Sequence, residues 1–132
     1  MKNKKICVIG LGYVGLPLAI NLSKYFKLVG FDKSKERISD LKNNIDITNE
    51  IKVSELKRSK ILFSCDPGDV QNCNVYIVTV PTPINSKKIP NITSLISVTK
   101  MIASNVKDDD LIIYESTVFP GCTEEILIPL IE

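Results

Sequence analysis

The sequence predicts an α/β fold in which one doubly wound parallel sheet carries helices on both faces, with residues 1–132 forming one domain. The first observation is that short apolar runs alternate with segments whose apolar residues recur at helical spacing. The second is that the strongest runs, Ile6–Ile9 and Val75–Val80, are almost uninterrupted, as is typical of parallel strands buried on both faces. Right-handed crossovers between such strands would place helices on both sides of the sheet.

The predicted elements follow the order strand, helix, strand, helix, and then further strands alternating with helices. The predicted strands are Ile6–Ile9, Lys27–Phe31, Ile61–Phe63, Val75–Val80 and Leu111–Tyr114. The predicted helices are Leu16–Tyr25, Lys35–Asn43 capped by Ser34, a segment from Thr93 to about Val106, and a last stretch from Thr123. The polar stretch Asn43–Arg58 has a less clear pattern, with room for one short helix.

Composition and charge limit the classes of function. The 17 basic and 15 acidic residues leave a net charge of +2, which is too small to indicate a nucleic-acid or membrane partner. The chain has no histidine, and its cysteines form no C-x-x-C pair: Cys7, Cys65, Cys73 and Cys122. We therefore expect no metal site, reduced thiols and a cytoplasmic protein.

The first residues invite one other interpretation, because Lys2–Lys5 followed by Ile6–Ile20 superficially resembles a signal peptide. Three glycines and Pro17 interrupt the apolar run, and no A-x-A cleavage site follows. These residues suit a strand and a turn better, and no other stretch approaches the length of a membrane span.

A glycine motif, G-L-G-Y-V-G, lies between the first predicted strand and the first predicted helix, and contains Gly10, Gly12 and Gly15. This context is typical of a site for the pyrophosphate of a dinucleotide. Gly10 would permit the tight turn, Gly12 would let the backbone approach the phosphates, and Gly15 would let helix and strand pack closely. The helix N-terminus would direct its N–H groups and positive dipole end at the phosphates. The alternative is a glycine-rich turn without a ligand.

Asp32 supports the dinucleotide interpretation. It ends the second predicted strand, 20 residues after Gly12, where a carboxylate accepts hydrogen bonds from the adenosine ribose. A carboxylate there would repel a 2′-phosphate, so the sequence predicts NAD rather than NADP. The alternative is an aspartate that only caps the helix following Lys33 and Ser34.

Two loops follow later strands at the edge where cofactors bind to such sheets. In V-P-T-P (Val80–Pro83), Thr82 offers a hydroxyl, although a merely rigid loop is an equally good interpretation. In E-S-T-V-F-P-G-C-T-E-E (Glu115–Glu125), Ser116 and Thr117 would point into the same crevice, or would simply form a hydroxyl-rich strand end. Cys122 has no histidine partner and is not expected to act as a nucleophile.

Together, G-L-G-Y-V-G-L-P, V-P-T-P and E-S-T-V-F-P-G-C-T-E-E resemble the NAD-binding Rossmann domain of the UDP-glucose/GDP-mannose dehydrogenase family. The resemblance covers essentially the whole chain and is closest to the UDP-N-acetylhexosamine branch, because Pro81 stands where UDP-glucose enzymes usually carry asparagine. Cys122 departs from the threonine that many members have. The resemblance implies oxidation of the C6 hydroxyl of a UDP-sugar to a carboxylate in two NAD-dependent steps, through a cysteine thioester, for surface polysaccharide such as capsule.

The resemblance also implies roles for particular residues. Tyr13 and Val14 would line the pyrophosphate, Asp32 and Arg37 would hold the adenosine ribose, and Thr82 and Thr117 would contact NAD. Thr117, near the reacting centre, is the catalytic candidate in this chain.

The family's nucleophilic cysteine, its lysine and asparagine, the linking helix and the UDP-binding domain would lie beyond residue 132. We therefore expect an N-terminal piece that is inactive alone, in a full-length protein that forms a homodimer or larger assembly. The alternatives are a 3-hydroxyacid-type dehydrogenase and a non-catalytic NAD(H)-sensing module.

Overall fold

A parallel sheet lies at the centre of the structure, a computed structural model that describes residues 4–115 and 121–132. Its five strands are β1 (Lys5–Ile9), β2 (Lys27–Phe31), β3 (Ile61–Ser64), β4 (Val75–Val78) and β5 (Leu111–Tyr114). They lie in the order β3-β2-β1-β4-β5, and every neighbouring pair is parallel. The predicted α/β fold with a parallel sheet is confirmed, and this strand order is that of a Rossmann domain.

Helices connect the strands, and a further helix follows the last strand. They are α1 (Gly15–Ser23), α2 (Lys35–Lys42), α3 (Val53–Arg58), α4 (Thr93–Ala103) and α5 (Ile128–Ile131). A 3₁₀ turn, Pro67–Val70, lies between β3 and β4, and a π-helical turn, Thr123–Leu127, leads directly into α5.

The side chains of β1 alternate between two hydrophobic cores, one on each face of the sheet. Ile6 and Val8 contribute to the core that α1, α2 and α3 cover. Cys7 and Ile9 contribute to the core that α4 and the last helical segment cover. Because both faces of β1 are buried, its residues form a continuous apolar run, and the doubly wound arrangement is confirmed.

Most predicted elements differ from the observed ones by one to three residues at one or both ends, and two regions show why. β4 ends at Val78 rather than Val80. The next residue, Thr79, donates its hydroxyl to the glycine turn. In the unclear stretch Asn43–Arg58, the chain folds around the carboxylate of Asp46, and α3 follows at its end.

Among the described residues, no helix is long and apolar enough to cross a membrane.

Candidate cofactor-binding site

The carboxyl edge of the sheet contains the candidate site. The strand order reverses direction between β1 and β4, and in open α/β sheets a ligand crevice lies outside the strand ends at such a point. A cavity of about 400 Å³ opens there. Its lining residues lie at the ends of β1, β2 and β3, in the loop after β4 and on α4. They include Gly10, Asp32, Cys65, Pro81, Ser97 and Met101.

Two glycines shape the turn between β1 and α1. Gly10 has a φ of +99°, a conformation that side chains disfavour, and a Cβ there would lie 2.9 Å from the backbone nitrogen of Val80. A Cβ on Gly15 would overlap the carbonyl oxygen of Gly10 and the hydroxyl of Thr79. The tight turn and the close helix–strand packing predicted for these glycines are therefore confirmed.

The middle of the turn is open. A Cβ on Gly12 would meet no atom within 4 Å, and the neighbouring Tyr13 and Val14 are 68% and 60% exposed. Within the described part of the chain, the N–H groups of these three residues donate to no protein acceptor, and no side chain caps α1. Free N–H groups at the positive end of a helix bind anions, so the turn fits a pyrophosphate.

Asp32 holds the turn from the end of β2. Its Oδ2 accepts a hydrogen bond of 2.9 Å from the N–H of Leu11, and its Oδ1 accepts one of 3.0 Å from the N–H of Ser34. The Oγ of Ser34 in turn accepts from the N–H of Arg37, so the predicted cap of α2 is confirmed. A carboxylate has about four acceptor positions, and Asp32 therefore retains capacity for the hydroxyls of a ribose.

Arg37 is buried beneath the turn, with only 8% of its surface exposed. Its Nε donates to the carbonyl oxygen of Leu11 at 2.8 Å, and its Nη1 forms an ion pair with Asp46 at 2.9 Å. Its Nη2 is buried without a hydrogen-bond partner among the described residues. The guanidinium is thus bound within the protein, and a direct contact of Arg37 with the ribose stays a prediction that requires the side chain to move.

Asp46 accepts more hydrogen bonds than any other described carboxylate. Besides the arginine, it accepts hydrogen bonds from the hydroxyl and N–H of Thr48 and from the N–H groups of Glu50 and Ile51. Burial alone would raise the pKa of Asp46, but the bonds from Thr48, Arg37 and Ile51 outweigh burial and lower its pKa to about 2. Asp46 therefore stays ionised at physiological pH.

The predicted residues of the two later loops are placed unequally. Thr82 is half-buried directly after Pro81 at the cavity. Ser116 and Thr117 lie outside the described residues. The preceding residue, Glu115, donates its N–H to the carbonyl oxygen of Val78 at 2.9 Å and so lies beside the end of β4. The cofactor contacts of Thr82 and Ser116, and the catalytic role of Thr117, stay predictions.

Sequence reasoning missed Thr79. Its hydroxyl donates to the carbonyl oxygens of Gly10 at 2.6 Å and Ile9 at 3.1 Å, and so ties the end of β4 to the glycine turn. The available signal was a lone hydroxyl at the end of an otherwise apolar run, but its partners lie about 70 positions earlier in the chain. The role of Asp46 was missed because the segment around it has no regular pattern, although its partners lie only two to nine positions away.

The four cysteines are free thiols, and Cys7 is a fully buried core residue, as predicted. Cys122 is also fully buried, and burial together with the charge of Glu124 raises the pKa of its thiol. A buried thiol with a raised pKa is a poor nucleophile, which supports the expectation that Cys122 does not act as one.

A second cavity, of about 590 Å³, lies beside the amino end of β3. Lys24, Lys52, Arg58 and Lys60 are among its lining residues. This cavity is larger, but it lacks the open glycine turn and the Asp32 carboxylate, so the cavity at the carboxyl edge is the candidate cofactor site.

The comparisons with known proteins agree with this geometry. Residues 4–132 match the model of the UDP-glucose/GDP-mannose dehydrogenase family, NAD binding domain. The chain belongs to this family. Its fold, its open glycine turn and the family match together make it an NAD-binding Rossmann domain.

Three similar proteins illustrate the relationship. The UDP-N-acetyl-D-glucosamine 6-dehydrogenase of Pseudomonas aeruginosa is 48% identical over 100% of this chain and 32% of its own length. The solved UDP-D-ManNAc dehydrogenase of Pyrococcus horikoshii has a TM-score of 0.87 and 30% identity, covering 96% of this chain and 32% of that one. The solved GDP-mannose dehydrogenase of Pseudomonas aeruginosa has a TM-score of 0.88 and 25% identity, covering 100% and 32%. The chain therefore spans about a third of the length of these relatives.

Proposed function

We propose that this chain is the cofactor-binding part of an NAD-dependent dehydrogenase that oxidises the C6 hydroxyl of a UDP-N-acetylhexosamine to a uronate. The observation that carries the proposal is the 48% identity to a UDP-N-acetyl-D-glucosamine 6-dehydrogenase over the whole chain. The open glycine turn and Asp32 support it, because they supply an anion site and a ribose acceptor at the expected edge of the sheet.

The residues of this chain bind and orient the cofactor. The N–H groups of Gly12, Tyr13 and Val14, at the start of α1, would donate to the pyrophosphate, and Asp32 would accept from the adenosine ribose. NAD, once bound, supplies the acceptor for the hydride that leaves the sugar carbon. Thr82 and Ser116 would contact the cofactor further along the crevice, and Thr117 would place a water or the sugar oxygen beside the nicotinamide.

The wider activity needs residues that this chain does not provide. A thioester requires an activated thiolate beside the sugar, and the family resemblance implies that this cysteine lies beyond residue 132. Within this chain, the Cys122 thiol is buried with a raised pKa. We therefore propose that a longer protein supplies the nucleophile and the UDP-sugar site, assembles as a homodimer or larger, and works in the cytoplasm on precursors of surface polysaccharide such as capsule. A 3-hydroxyacid-type dehydrogenase and a non-catalytic NAD(H) sensor find no support in the relatives described above.

Turnover assays test this function. The gene is read past codon 132, and the longer protein is assayed for NADH formation with UDP-N-acetylglucosamine, UDP-N-acetylmannosamine, UDP-N-acetylgalactosamine and UDP-glucose. We expect turnover with at least one acetylhexosamine and much slower turnover with UDP-glucose, and no turnover by the 132-residue chain alone. A preference for UDP-glucose, or steady turnover by the short chain, would contradict the proposal.

A further inference from the structure

The buried ion pair of Arg37 and Asp46 adjoins the predicted ribose site. Two bridges join Arg37 to the carboxylate of Asp32. In the first, Leu11 donates its N–H to Asp32 and accepts from Nε of Arg37, at 2.9 and 2.8 Å. In the second, which involves only the backbone of Arg37, Ser34 donates its N–H to Asp32 at 3.0 Å and its Oγ accepts from the backbone N–H of Arg37 at 3.1 Å. A full positive charge is thus held one bridging residue away from the group that would bind the adenosine ribose.

Apolar residues could fill this interior position without loss of stability. A buried arginine–aspartate pair is often no more stabilising than apolar residues of the same volume, because both charges lose their hydration. Here Nη2 of Arg37 is also buried without a partner among the described residues, which adds a desolvation cost. The arrangement therefore invites a functional explanation.

The chemistry of the neighbourhood suggests what that explanation is. An arginine beside the ribose 2′ position is the group that binds the extra phosphate of NADP, through charge-assisted hydrogen bonds. In this chain the arginine is turned away from the crevice, and its side chain is only 9% exposed. Asp46 holds it there with a carboxylate that is itself 1% exposed and fixed by Thr48, Glu50 and Ile51.

We propose that Asp46 determines cofactor selectivity by holding the guanidinium of Arg37 in the interior, where it cannot bind a 2′-phosphate. Asp46 is a positioning residue that acts through Arg37 and touches no cofactor itself. Asp32 excludes the 2′-phosphate by direct charge repulsion. Asp46 excludes it by pairing with the guanidinium of Arg37, which would otherwise attract the phosphate. The proposal rests on the assignment of NAD to the glycine turn. It takes the place of the predicted contact of Arg37 with the ribose, because the guanidinium then stays bound to Leu11 and Asp46.

The test compares the dissociation constants of NAD⁺ and NADP⁺ by calorimetry, for the 132-residue chain and for Asp46→Asn. The substitution removes the charge but keeps one oxygen acceptor for the surrounding N–H groups. We expect the ratio of NADP⁺ to NAD⁺ affinity to rise by about tenfold or more, the scale of a charge-assisted hydrogen bond. Adding Arg37→Met to Asp46→Asn should abolish the gain, because the cation is then absent.

Two controls separate selectivity from loosening of the fold. Thr48→Val removes the 2.6 Å hydrogen bond to Asp46 but keeps the ion pair, so it should leave the affinity ratio unchanged. Asp40→Asn removes an equal charge from α2, at a side chain that has no ion pair among the described residues, and should also leave the ratio unchanged. If Asp46→Asn weakened both cofactors equally, or if Thr48→Val changed the ratio as much, the proposal would be overturned in favour of a purely structural role.

A measurement on the unsubstituted chain covers the case in which Asp46→Asn does not fold. The Nε–H of Arg37 should keep its protection from solvent exchange, followed by NMR, when NADP⁺ is added to saturation. Loss of protection would show that Arg37 leaves Leu11 for the phosphate while Asp46 is present, and would overturn the proposal. Failure of the unsubstituted chain to bind NAD⁺ at all would instead count against the cofactor assignment.

Discussion

The glycine turn permits a prediction that separates cofactor binding from folding. A Cβ on Gly12 would meet no protein atom within 4 Å, and its φ lies outside the positive range. Gly12→Ala should therefore change the free energy of unfolding by no more than about 0.5 kcal/mol. The methyl group would project where the pyrophosphate approaches the backbone, and such overpacking costs about 1–3 kcal/mol. We expect NAD⁺ affinity to fall by roughly 10- to 100-fold.

Gly15→Ala, in contrast, should destabilise the fold. Its Cβ would overlap the carbonyl oxygen of Gly10 and would lie 2.9 Å from the carbonyl carbon, so β1 and α1 must separate. We expect a loss of about 3 kcal/mol in unfolding free energy. For a domain of this size, that loss lowers the melting temperature by roughly 10 °C.

Calorimetry with NAD⁺ and thermal unfolding by circular dichroism, on both variants and the parent, measure the two effects. If Gly12→Ala bound NAD⁺ as tightly as the parent, the pyrophosphate would not approach this turn, and the placement of the cofactor would be wrong. If Gly15→Ala melted at the parental temperature, the contact between helix and turn would not be tight.

Three other predictions concern charge and hydroxyl groups at the same edge of the sheet. The chain should bind NAD⁺ more tightly than NADP⁺, and Asp32→Ala should cost about 1–3 kcal/mol in NAD⁺ binding, measured by calorimetry; equal affinities of the parent for both cofactors would contradict this. In the longer protein, Thr117→Val should lower kcat by about 10²–10³ with little effect on NAD binding, whereas Thr82→Val should mainly weaken binding; an unchanged kcat for Thr117→Val would rule out its catalytic role. The pKa of Asp46 is lowered from 3.8 to about 2 in the folded chain, so as the pH falls its carboxylate is protonated in the unfolded chain before it is protonated in the folded chain. Asp46 therefore contributes about 2 kcal/mol above pH ~5 that is lost as the pH falls towards 2, and denaturant unfolding of Asp46→Asn should lack this part of the pH dependence.

Local sequence patterns predicted much of the fold and part of the site. Lys27–Phe31 and Leu111–Tyr114 have the bounds predicted from their apolar runs, and Ser34 caps α2 as predicted. The glycine roles were also predictable, because G-x-G-x-x-G after a buried strand leaves few conformations that a strand–turn–helix can adopt. In each case the determining residues lie within one or two turns of one another along the chain.

Other features depend on residues that only the tertiary structure brings together. The early end of β4 accompanies the bond from Thr79 to Gly10, which joins residues 69 positions apart. The orientation of Arg37 is decided by Leu11, 26 positions away, and by Asp46, nine positions away in a segment that has no regular pattern.

The sequence by itself determined the class of fold, the glycine turn and the position of Asp32 directly after β2, because periodicity and short-range sterics act on neighbouring residues. Tertiary structure alone decided that Arg37 turns inward to Asp46 rather than outward to the crevice. A guanidinium can pair with any carboxylate within its reach, and which one is near depends on how the chain folds around it.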